Sequence, residues 1–67
     1  MMMLDPICDM VIDMGEARDN GLTLEMPERE YAFCGPGCQV KFAKSPAQYR
    51  QKFEDWLAGK YQPKAMM

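Results

Sequence analysis

The sequence predicts one small α+β domain, and three observations carry that reading. Short apolar stretches in the first half, such as "MVID" and "NGLTLEM", are interrupted by turn formers. From Gly35 onward the apolar spacing becomes helical, with a second helical stretch opening at Ser45-Pro46. The chain is 67 residues long, enough for a single domain. A domain this short buries a small share of its surface and often adds a disulfide, a metal or a partner subunit.

The strands come first. "MVID" reads as a short strand, and Leu22, Leu24 and Met26 alternate with polar neighbours after the turn signal Asn20-Gly21. Pro27 interrupts, and "REYAF" resumes an extended pattern with Tyr31 and Phe33 on one face. Together these stretches predict a short antiparallel hairpin or three short strands. Pro36 suits the first turn of a helix, where its missing N–H costs nothing. Ser45 is expected to cap the next helix, with Pro46 at its first position and Gln48 completing a capping box. Tyr49, Phe53, Trp56 and Leu57 then recur on one helical face. In so short a chain this stripe reads as core before it reads as a partner-binding face. Gly59 is the expected stop. Residues 1–4 are expected to be a flexible N-terminus, 5–58 the single domain, and 59–67 a frayed C-terminal tail.

Composition narrows the function. No apolar run approaches the roughly 20 residues of a membrane helix, so no membrane association is expected. The opening "MMMLDPIC" has neither a basic region nor a long apolar core, so no secretory leader is expected and the location is expected to be cytoplasmic. Residues 1–33 carry eight acids against two bases, and residues 34–67 six bases against two acids. The isoelectric point near 4.9 nevertheless argues against a nucleic-acid partner.

Chemistry concentrates in three cysteines, Cys8, Cys34 and Cys38, in a chain without histidine. An odd number does not suit an extracellular disulfide framework, and in a reducing compartment clustered cysteines point to metal binding or catalysis. Three residues separate Cys34 from Cys38 in "FCGPGC", which places both thiols at one helix entrance. There the helix dipole is expected to lower thiol pKa and favour thiolates. Gly35 and Gly37 are expected to keep the loop free of bulk so that the sulfurs converge. Pro6 and Asp9 around Cys8 suggest a turn resembling a metal-binding knuckle. On spacing alone two arrangements stand side by side: three sulfurs on one ion, or a special Cys34–Cys38 pair with Cys8 as a buried apolar residue.

"DPICDMVID" followed by "YAFCGPGCQVKFAKSPAQY" resembles the YHS domain, a small module related to the TRASH metal-binding fingers. Asp5, Pro6, Cys8 and Met10 match its first block. Tyr31, Phe33, Cys34, Cys38, Lys41, Phe42, Pro46 and Tyr49 match its second, so the resemblance spans about residues 5–53. It implies a treble-clef-like finger with a knuckle, a short β-hairpin and two C-terminal helices, and a metal held by Cys8, Cys34 and Cys38. It also implies a sensor, carrier or accessory module, not an enzyme, in the setting of metal transporters or multicomponent monooxygenases. Three departures stand out, the first being that of the family's Tyr-His-Ser letters only Tyr31 is present. Asp9 occupies the position where the family has glycine, and the segment between the first two cysteines is somewhat long.

Three thiolates without histidine make a soft site, suited to Zn²⁺, Cu(I) or a heavy-metal ion. Zinc would want a fourth donor, for which Asp5, Asp9, Met10, Asp13, water or a group from a second chain are the candidates. The last of these would make the protein a homo-oligomer. Five of the eight methionines are terminal, so their number is no argument for copper. The alternative reading is a protein-interaction module whose metal is purely structural, serving a larger transporter or monooxygenase. A thiol-redox protein using Cys34 and Cys38 ranks below both, because C-x3-C is not the usual redox spacing.

Overall fold

Strand β1 (Met2–Asp5) runs antiparallel to β2 (Met10–Asp13), with Met3 opposite Ile12 and Leu4 opposite Val11. All four of these residues are buried. Consecutive buried residues mean that both faces of the pair are covered, so the strands read as apolar runs without alternation. The computed structural model describes residues 1–63 and the backbone of Ala65–Met66. Residues 1–4 are therefore not the flexible lead-in expected from the sequence, since Met3 and Leu4 are part of the core.

Helix α1 (Met14–Asp19) follows β2 directly and has no counterpart among the elements expected from the sequence. At six residues it is too short to persist on propensity alone. It is held by Asp13, whose carboxylate accepts from the Glu16 amide at 3.0 Å, and by the burial of Met14 and Ala17. Gly21, at φ +70, turns the chain after the helix. Strands β3 (Thr23–Glu25) and β4 (Glu30–Ala32) then form an antiparallel hairpin, with Leu24 opposite Tyr31. The expected hairpin is present, and β4 lies against β1.

Two helices complete the domain as the sequence predicts, α2 (Pro36–Lys44) and α3 (Pro46–Leu57). The expected capping box is absent. Ser45 makes no side-chain cap bond, and its own amide instead donates to the Lys41 and Phe42 carbonyls. Closing α2 fixes the Ser45 backbone and takes it out of capping geometry. Beyond α3, Gly59 adopts φ +76 and ends the helix. The tail is not wholly frayed: β5 (Ala65–Met66) pairs in parallel with β2, giving the sheet order β1-β2-β5. Lys64 and Met67 of the expected tail lie outside the described residues.

The core is aromatic at its centre. Tyr31 stacks at 4.6 Å on Phe42 and at 5.0 Å, edge-on, against Phe53, while Phe33 lies 5.3 Å from Phe42. All four rings are fully buried. Trp56 is half-buried against Phe53, whereas Leu57 is 53% exposed and lies outside the core expected of the α3 stripe. Near α3, the Arg29 guanidinium sits 4.9 Å from the Phe53 ring and pairs with Glu54 at 2.8 Å. This block joins both helices to the β3–β4 hairpin and holds up the floor on which the cysteines stand.

Candidate metal centre

The first part of the site is the turn between β1 and β2, residues 6–9. Asp5, the last residue of β1, is fully buried. One carboxylate oxygen, Oδ1, accepts from the Ile7 amide at 2.8 Å and from the Cys8 amide at 3.3 Å. The Asp9 amide closes the turn on the Asp5 carbonyl at 2.9 Å. An aspartate before proline favours this kind of local turn.

Asp9 sits at φ 68, a left-handed conformation that costs a residue with a side chain more than it costs glycine. Its carboxylate accepts from the Tyr61 hydroxyl and pairs with Lys52 at 3.2 Å. Lys52 also donates to the Pro6 carbonyl at 3.1 Å. The acidic residue at this position is thus braced from α3 and from the segment after it.

The second part comes from the end of β4 and the start of α2. Cys34 lies just beyond β4, and its amide donates to Asp5 Oδ2 at 2.8 Å. Cys38 is the third residue of α2. The Cys34 sulfur stands 3.0 Å from that of Cys8 and 3.6 Å from that of Cys38. Cys8 Sγ donates to Asp5 Oδ2 at 3.1 Å. Asp5, Cys8, Cys34 and Cys38 each offer a donor atom, and all four atoms lie within 4.8 Å of one another. Cys34 is exposed and Cys8 and Cys38 are half-buried, so the cluster opens to solvent on the Cys34 side. Cys34 also lines a cavity of about 180 Å³ whose floor includes Ile12, Ala17, Leu22 and Phe33.

Two expectations change here, one in electrostatics and one in sterics. Burial pushes the Cys38 thiol up to about 12, helped by the hydrogen bond to Cys34 and the Asp5 charge. Burial also raises Cys8 strongly, together with its bonds to Cys34 and Asp5. The helix dipole at this entrance would act in the opposite direction. Crowding of sulfurs and a carboxylate in a partly dry site outweighs that dipole, whose effect is of order 1 kcal/mol. Gly35 and Gly37 do not clear space for the sulfurs either, because a Cβ at either position would meet nothing within 4 Å.

Among the carboxylate candidates for a fourth donor, Asp5 is the one that reaches the sulfurs. Asp9 is engaged with Lys52 and Tyr61, and Asp13 caps α1. Met10 is half-buried and packs against the core. The bracing roles of Lys52 and Tyr61 leave no signal in the sequence, since nothing in their spacing links them to residue 9. No helix of the described residues is long and apolar enough to cross a membrane. No family model, curated protein or solved structure matches the chain.

Proposed function

We propose that the protein is a non-enzymatic module that binds a soft transition metal through Cys8, Cys34 and Cys38 and passes it on or senses it. One observation carries this reading: three sulfurs and one carboxylate from two separate chain segments converge within 4.8 Å. The order of parts, a knuckle after β1, a hairpin ahead of Cys34 and a helix carrying Cys38, supports a YHS-like, treble-clef-like arrangement.

The donor set fits such an ion. Zinc–sulfur bonds of about 2.3 Å place two sulfurs of a tetrahedron about 3.8 Å apart. The Cys34–Cys38 separation of 3.6 Å needs almost no change, and the Cys8–Cys34 separation of 3.0 Å needs a small opening. A cation also reverses the electrostatics that keep Cys8 and Cys38 protonated, because metal binding and thiol deprotonation are coupled. Loss of the Cys8 proton ends its hydrogen bond to Asp5 Oδ2 and frees an oxygen lone pair at the site. Asp5 then supplies a fourth donor for Zn²⁺, while Cu(I) would be satisfied by the three sulfurs alone.

The aromatic core favours carriage over a purely structural metal. Tyr31, Phe33, Phe42 and Phe53 are fully buried, and Asp5 ties the two cysteine segments together through backbone amides. A fold held in this way does not need the ion to form. A transporter or monooxygenase partner would take up the metal from the exposed Cys34 side.

Native mass spectrometry of the reduced protein with Zn²⁺ and Cu(I) tests the reading. A 1:1 complex lost in Cys34→Ser, with a protein that stays folded in chelator, is the expected result. Absence of a 1:1 complex with either ion, or binding unchanged in Cys34→Ser, contradicts it.

A further inference from the structure

We propose that Cys8 and Cys34, not Cys34 and Cys38, form a redox pair that closes into a disulfide by exchange with a low-molecular-weight disulfide. The regulatory consequence, release of the bound ion, rests on the metal-binding reading above.

Geometry selects the pair. The Cys8 and Cys34 sulfurs are 3.0 Å apart, against 3.6 Å for Cys34 and Cys38. A disulfide bond of about 2.05 Å therefore needs the smaller movement from Cys8. Both members of the pair are held at their backbones by one carboxylate, since the Cys8 and Cys34 amides donate to Asp5 Oδ1 and Oδ2. This tether keeps the two thiols together when no ion does.

Exposure selects the order of events. Cys34 is exposed and lines the cavity of about 180 Å³, so a small disulfide R–S–S–R reaches it first. The Cys34 sulfur bonds to one sulfur of R–S–S–R, whose S–S bond breaks, and the first RSH leaves with the Cys34 proton. Half-buried Cys8, passing its proton to Asp5 Oδ2 at 3.1 Å, then attacks the Cys34 sulfur of the mixed disulfide. The Cys34–SR bond breaks, the Cys8–Cys34 bond forms, and the second RSH leaves with the Cys8 proton. The two protein thiols are oxidised by two electrons and the small disulfide is reduced to two thiols. Accessibility and proximity both govern such exchange. Of the three sulfurs only Cys38 remains free, and one thiolate cannot hold what three held.

The test exposes reduced, metal-free protein to oxidised glutathione, alkylates the remaining thiols and maps tryptic fragments. Fragment Met1–Arg18 joined to Glu30–Lys41, with the bridge on Cys34 and alkyl on Cys38, is expected. Cys38→Ser is expected to form the same bridge, and Cys8→Ser to stop at a glutathione adduct on Cys34. An internal Cys34–Cys38 bridge in the wild type, or an adduct on Cys8 ahead of Cys34, overturns the proposal. Zinc affinity of the never-oxidised protein is measured separately, so a failure of the metal reading shows there while the mapped bridge still decides the redox pair. Where zinc binds, the oxidised protein is expected to bind it at least about tenfold more weakly, and undiminished binding overturns the regulatory half.

Discussion

The Asp5 carboxylate accepts the Cys34 amide proton at 2.8 Å, across 29 positions of sequence. The same side chain also takes the amides of Ile7 and Cys8. One buried carboxylate therefore registers the knuckle against the helix entrance before any ion arrives.

Removing that carboxylate leaves part-buried amides without their acceptor. Asp5→Ala is expected to destabilise the metal-free protein by about 2–4 kcal/mol, since each unsatisfied buried donor costs about 1–3 kcal/mol. Asp5→Asn keeps one acceptor oxygen and is expected to cost less. Urea denaturation of the reduced proteins ranks the three. Equal stability of Asp5→Ala and wild type would remove the carboxylate from its organising role.

Asp9 separates backbone strain from bracing. Asp9→Ala and Asp9→Gly both lose the contacts with Lys52 and Tyr61. Only glycine relieves the positive φ. Asp9→Gly is therefore expected to be more stable than Asp9→Ala by about 1 kcal/mol, read from thermal or urea midpoints. The reverse order would mean that residue 9 does not hold the left-handed conformation in solution.

The thiols set an alkaline limit on the metal-free fold. Cys8 and Cys38 have folded-state values above the ordinary 9.0, with Cys38 at about 12. The unfolded chain gives up these protons first, so their contribution is fully present below about pH 9 and is lost as pH rises toward about 12. Urea midpoints of reduced, metal-free protein are expected to fall as pH rises above about 9 toward about 12. Serine at positions 8 and 38 is expected to flatten that fall; an equal fall in the double variant would place its origin elsewhere.

The largest fully buried side chains are the aromatic rings of Tyr31, Phe33, Phe42 and Phe53. Phe42→Ala removes a fully buried ring in contact with Tyr31 and Phe33. Such truncations cost about 3–5 kcal/mol, close to the roughly 3–10 kcal/mol available to a chain of this length. Phe42→Ala is expected to be largely unfolded by circular dichroism, whereas Leu57→Ala, at an exposed position, is expected to stay within about 0.5 kcal/mol of wild type.

How much of this is legible in the sequence follows from which signals are local. The β3–β4 hairpin and helices α2 and α3 announce themselves through alternation, Pro36 and Pro46. Strand β1 does not, because Met3, Leu4 and Asp5 are buried in succession and carry no period of two. Helix α1 is one capped turn and a half whose support is tertiary. Cys8, Cys34 and Cys38 are legible as candidates, and their convergence is what the fold adds. Asp5 cannot be told from Asp9 or Asp13 by residue type, and only the partners of each carboxylate separate them. The Cys38 thiol moves against the direction read from the chain, because the helix dipole is visible in sequence while the crowding of sulfurs is not.

Metal-edge X-ray absorption on the zinc-loaded protein tests the proposed ligation most directly, because it counts the atoms around the ion. Three sulfur neighbours at about 2.3 Å and one oxygen at about 2.0–2.2 Å are expected, with the oxygen altered in Asp5→Ala and one sulfur lost in Cys8→Ser. A shell of oxygen or nitrogen alone, or a sulfur count unchanged in Cys8→Ser, would contradict a site built from Cys8, Cys34 and Cys38.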